Sequence, residues 1–171
     1  FSIRDWQGDV RAQADLGGGA LMDAGCYCVS AVRFVLNAEP VAAQAFQHVR
    51  NGVDATLSGL LRFPGDSVAH IVTGMEEPFR CVLEVVGNHG AITVPNMFDE
   101  GADVHIAIGN DERVERFSGP DRFQVQLERF SDCILQGKAP EFPPEDGLKN
   151  VAALQALKQA ADYGALVEVK Y

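Results

Sequence analysis

The stretch LGGGALMDAGCYC, residues 16–28, sets an aspartate and a tyrosine four residues apart, Asp23 and Tyr27, directly after three consecutive glycines. On a helix, residues four apart share a face. A phenol can both give and take a proton, and a carboxylate beside it can orient a substrate hydroxyl. The pair therefore suits proton transfer to or from the oxygen of an alcohol or carbonyl. The same spacing fits a plainer arrangement, in which Asp23 makes a local polar contact near a helix start and Tyr27 lies at the edge of an amphipathic face.

The glycines have two readings of their own. A glycine-rich turn before a helix can cradle a phosphate. The dinucleotide fingerprint G-x-G-x-x-G, however, needs a third glycine where this chain has Met22, and a buried strand where it has AQADL. The P-loop string G-x-x-x-x-G-K-[ST] does not occur. The alternative is geometric: glycine permits positive φ and close backbone approach. Gly25, inside the helical pattern, costs about 1 kcal/mol relative to alanine, which fits a site where something packs closely.

The surrounding elements follow from hydrophobic periodicity. Over residues 20–36, Leu21, Ala24, Cys28, Val32 and Leu36 recur at steps of three or four, which predicts a helix closed by Asn37 and Pro40. Residues 2–14 are mixed and read as a possible edge strand. From 41 to about 117 the period is two, in the segments VAAQAFQHVR, VDATLSGLLRF, SVAHIVTG, FRCVLEVVG, AITV, ADVHIAIG and ERVERF. Turn signals such as Asn51-Gly52 and Gly109-Asn110 separate them. Connections this short join antiparallel neighbours, because parallel strands need a long crossover. Helical period returns with the stripe Phe123, Leu127, Phe130 and Ile134, then with Leu148, Val151, Leu154, Leu157 and Ala161 after Pro144, and LVEVKY reads as a last strand. The order predicts an α+β fold: an open, mostly antiparallel sheet with helices on one face, in a single domain spanning residues 1–171.

Composition narrows the function. The chain has 171 residues, 47% of them apolar, and a net charge of −10, so a polyanion such as nucleic acid is a poor partner. No run is read as a membrane span, and no membrane partner is expected. The four cysteines lack metal-binding spacing and are read as buried or half-buried free thiols in a reducing compartment such as the cytoplasm. No metal is expected. Arg33, six residues after Tyr27, faces elsewhere and reads as a salt-bridging residue. His70, His89 and His105 read as structural or solvent-facing.

The string GGGALMDAGCYCVSAVRFVLNAEP resembles the signature that opens the second domain of the glucose–fructose oxidoreductase / inositol dehydrogenase / MocA family. Gly87-Asn88-His89-Gly90-Ala91-Ile92, the segment Phe123 to Gly137, and Pro144-Glu145-Asp146-Gly147 onward resemble its hairpin and closing helices. The resemblance implies a C-terminal domain whose Rossmann partner, with the cofactor fingerprint and a catalytic lysine, lies outside this chain. It implies NADP or NAD, bound mainly by that absent domain, and no cofactor-binding residue here. Asp23 matches the family's active-site aspartate and Tyr27 its proton-transfer residue. Arg4, Trp6 and Gly19 are then expected to line a substrate cleft for a sugar, polyol or trans-diol. A homodimer through the open sheet face is expected, as is an isolated chain without activity. The rival expectation is a non-catalytic dimerisation or binding module of the same fold.

Overall fold

All seven period-two segments form strands in the computed structural model, which describes residues 1–98 and 101–171. They are β1 (Ala42–Arg50), β2 (Val53–Arg62), β3 (Val68–Gly74), β4 (Val82–Gly87), β5 (Gly90–Pro95), β6 (Asp103–Ile108) and β7 (Asp111–Arg116), with a short β8 (Val167–Glu168) near the C-terminus. The helices are α1 (Cys26–Leu36), α2 (Arg122–Gln136) and α3 (Pro144–Tyr163). The α+β class is as expected, and every strand pair is antiparallel. The strands are divided between two four-stranded sheets, ordered β3-β2-β1-β8 and β4-β5-β6-β7. The chain forms two compact units: Phe1–Phe79 with Pro144–Tyr171, and Arg80–Pro143.

In the first unit, one face of the β3-β2-β1-β8 sheet is covered by α1 and α3. Ala43, Ala45, Leu57, Leu61 and Ile71 meet Leu21, Val29, Ala153, Leu154, Leu157 and Ala160 there. Each buried leucine contributes about 1.5–3 kcal/mol over an exposed one. A Cβ at Gly59 would stand 2.6 Å from Leu157 Cδ2, so this glycine lets α3 lie close on β2. The buried stripe of α3 is 153, 154, 156, 157 and 160; Leu148 and Val151, expected in it, are exposed. The other sheet face presents Phe46, Leu60, Val68 and Val72 to the surface.

Arg33, on α1, is buried and donates to Glu39 at 2.7 and 3.0 Å, to Asp146 of α3 at 2.9 Å and to Asn150 at 3.3 Å. This is the salt-bridging role expected of it. Residues 2–14 contribute one bridge, Ser2 with Glu76, rather than a regular edge strand. Two short 3-10 turns, Val10–Ala12 and Ala14–Leu16, follow and are closed by Gly17 at φ +72°.

In the second unit, β4 to β7 form a meander. Asn88 and His89 make the β4–β5 turn, with Gly87 paired to Gly90. The stripe Phe123, Leu127, Phe130 and Ile134 lies on α2 as predicted, but its residues are exposed. Asp121 caps this helix, accepting from the N–H groups of Phe123 and Gln124 at 2.8 and 3.1 Å.

One expectation needs correction. By composition, the stretch Ala14–Leu36 is long and apolar enough to pass as a membrane span. Its helical path is interrupted by the glycine turn, and Leu21, Gly25, Val29 and Arg33 are buried in the first unit.

Candidate active site

The helix carrying Asp23 and Tyr27 opens with a π turn, Leu21–Gly25, before continuing as α1. Such turns are rare and occur often at functional sites. The buried stripe runs Leu21, Gly25, Val29, Arg33 at steps of four. Asp23 and Tyr27 each stand two residues off that stripe, roughly 200° round an α-helix, and so lie away from the core. Tyr27 is 56% exposed, and the Asp23 side chain is 37% exposed.

Asp23 is not a purely local contact. Arg11, from the first 3-10 turn, donates through Nε to Asp23 Oδ1 at 3.2 Å. The same guanidinium reaches Asp9 Oδ2 at 3.1 Å and lies 5.5 Å from the Phe1 ring centroid. Arg11 thus joins the candidate site, though nothing in its spacing from Asp23 announced it. Asp23's own carbonyl accepts from Cys26 Sγ at 3.3 Å, and burial pushes the Cys26 thiol pKa up. All four cysteines are thiols rather than disulfides and are half-buried.

The glycine turn is packed against protein from both sides. Gly18 N–H donates to Gln13 O at 3.0 Å and Gly19 N–H to Arg11 O at 2.9 Å. A side chain at Gly18 would collide with the carbonyl of Arg11, and one at Gly19 with the carboxylate of Asp54. Asp54, on β2, is 3% exposed and accepts from Leu21 N–H at 2.7 Å. Burial raises its pKa, partly offset by the Leu21 bond. From β3, the buried Thr73 hydroxyl donates to Ala20 O at 2.9 Å. The cradle that a phosphate would use is therefore filled by the chain's own groups. These residues do not fit the pyrophosphate of a dinucleotide.

Of the other expected substrate-lining residues, Gly19 is buried in this turn and Arg4 is exposed. Trp6 packs on a small cluster of Ile3, Ala12, Ala20, Val53 and Met75. The Arg50 guanidinium lies over its ring at 4.2 Å and pairs with Glu76 at 2.7 Å. The structure thus places Asp23 and Tyr27 on one helical stretch, with Gly19 in the bend just before it and Trp6 packed on the cluster that includes Ala20.

Known proteins share this arrangement of elements. A sequence model described as the GFO/IDH/MocA C-terminal domain matches residues 2–93. The NADP-dependent D-xylose 1-dehydrogenase 2 of Haloferax volcanii is 28% identical over 99% of this chain and 54% of its own length. A trans-1,2-dihydrobenzene-1,2-diol dehydrogenase of Xenopus tropicalis is 27% identical over 80% of this chain and 44% of its own. The crystal structure of an aldose-aldose oxidoreductase from Caulobacter crescentus, complexed with glycerol, superposes with a TM-score of 0.88 at 27% identity, covering 98% of this chain and 52% of that one. The chain spans about half the length of the relatives it matches. On the family match and the shared fold together, the chain belongs to the GFO/IDH/MocA family of oxidoreductases, with its residues corresponding to the C-terminal domain.

Proposed function

We propose that this chain is the substrate-binding half of an NAD(P)-dependent oxidoreductase acting on the hydroxyl or carbonyl of a sugar, polyol or trans-diol. The observation that carries the reading is the exposed Tyr27 one turn from Asp23, on a helix start that the core fixes. Tyr27 takes the hydroxyl proton in the oxidative direction and returns it in the reductive one. Asp23, held by Arg11, accepts a hydrogen bond from the substrate and orients it. The nicotinamide cofactor, held by a part of the whole protein beyond these residues, supplies the hydride chemistry. NADP is favoured over NAD because the xylose dehydrogenase relative uses it. Arg4 and Trp6, on the segment beside the helix start, complete the substrate side.

The exposed apolar face of the first sheet fits a second copy of the chain, giving a homodimer that leaves the helix-covered face and Tyr27 uncovered. The thiol state of the cysteines suits a cytoplasmic protein.

The test is Tyr27→Phe in the full-length protein, assayed with NADP and a panel of aldoses and trans-diols. Turnover is expected to fall roughly 100-fold or more, with the affinity for NADP kept. Wild-type turnover in Tyr27→Phe would remove the phenol from the mechanism and leave the dimerisation module as the better account.

A further inference from the structure

A break in strand register turns one carboxylate into the protein. From Thr56 to Arg62, β2 alternates regularly, with Leu57, Gly59 and Leu61 buried and Ser58, Leu60 and Arg62 exposed. Continued backward, that alternation would send Asp54 to the exposed face beside Ser58. The pairing with β1 slips at this point: His48 faces Thr56 but Val49 faces Asp54, so Ala55 is an extra residue on β2. A bulge of this kind re-aims the side chain next to it. Asp54 is in consequence buried, as are its neighbours Val53 and Ala55.

The re-aimed carboxylate meets the start of the helix that carries Asp23 and Tyr27. One oxygen accepts from Leu21 N–H at 2.7 Å, and the other lies where a Gly19 side chain would be. On the neighbouring strand, Thr73 donates to Ala20 O at 2.9 Å, and its methyl Cγ2 is 3.6 Å from the position a Cβ on Gly25 would take. Two strands thus grip the single peptide group that joins Ala20 to Leu21, Asp54 accepting from its N–H and Thr73 donating to its C=O. A buried carboxylate is costly to keep. Here that cost is offset by the hydrogen bond from Leu21 N–H, which ties the helix start to β2.

We propose that Asp54 and Thr73 are positioning residues: together they fix the π turn, and through it the placement of Asp23 and Tyr27. The proposal rests on the functional reading above. In this role both act through the Ala20–Leu21 peptide and not on substrate itself.

The full-length protein, with Asp54→Ala, Thr73→Val, Asp54→Asn and Tyr27→Phe, separates the possibilities. Two quantities are read: amide hydrogen exchange of the peptide covering residues 19–27, and kcat and KM for the sugar or diol and for NADP. Asp54→Ala is expected to speed exchange in that peptide about tenfold, leave exchange in β1 unchanged and lower kcat roughly 10- to 100-fold, without changing the KM for NADP. Asp54→Asn, whose amide oxygen still accepts from Leu21, is expected to restore most of both. Unchanged exchange in Asp54→Ala overturns the proposal. So does faster exchange with wild-type kcat, provided Tyr27→Phe is impaired. If Tyr27→Phe also turns over normally, the functional reading has failed instead, and the positioning role falls with it. Should Asp54→Ala not fold, Thr73→Val must show the same paired change, and wild-type kcat in that variant overturns the proposal.

Discussion

At the scale of single residues, the three glycines serve different ends. Gly17 adopts φ +72° to end a 3-10 turn, whereas Gly19, at φ +121°, makes room for a buried carboxylate. Alanine at Gly19 meets both a strained backbone and Asp54, so Gly19→Ala is expected to destabilise the protein by at least about 2 kcal/mol. Alanine at Gly17 has open space and only the backbone penalty. Thermal unfolding of the two variants checks the contrast; equal losses would show that the Asp54 contact is not what Gly19 permits. That Asp23 and Tyr27 share a helix face away from the core was legible in the sequence, because a four-residue spacing on a helix is a local property. Asp54 was not. Its inward turn depends on an extra residue in a pairing between strands, and VDATLSGLLRF reads as an unbroken alternating strand without knowledge of its partner. Arg11 escaped for a related reason: its approach to Asp23 passes through the folded-back turns before the glycines.

At the scale of elements, α1 is fastened to α3 through charge as well as packing. Arg33 is buried, and its hydrogen bond holds the Glu39 carboxyl below its ordinary pKa; Lys149 Nζ adds a contact at 3.5 Å. A carboxyl with a depressed folded value stabilises above its unfolded pKa and loses that contribution as pH falls through the folded one. Glu39→Gln is therefore expected to cost about 1–2 kcal/mol at pH 7. The gap should narrow as pH drops below about 4.3 and close beneath the folded value. Denaturant melts of both proteins across that range check it; a gap independent of pH would place the effect in packing rather than charge. Helix and strand identities were readable here because periods of two and about 3.6 show in short windows. Which stripe of α3 is buried was not, since alanines 153, 156 and 160 do the packing and a scan for large apolar residues passes over them.

At the scale of the whole molecule, the sequence order of strands and helices identified the α+β class but not the division into two sheets. Sheet membership is set by pairings between distant segments, such as β1 with β8. The outer face of the first sheet leads to a prediction at this level. Phe46 is 72% exposed, and Phe46, Ser58 and Val72 lie opposite one another across three strands. Phe46→Lys in the full-length protein is expected to shift a dimer to monomer in light scattering while kcat per chain changes less than severalfold. A wild-type protein that is already monomeric would remove that face as the dimer contact.

The first unit takes its strands β1 to β3 from the front of the sequence and its covering helix α3 and edge strand β8 from the end. A ribosome delivers these pieces in order. Leu57 and Leu61 emerge well before Leu154 and Leu157, the residues that bury them, and the whole second unit is made in between. Until α3 and β8 have emerged, the nascent chain carries a sheet whose core face is incompletely covered, an aggregation-prone state of the kind that chaperones shield.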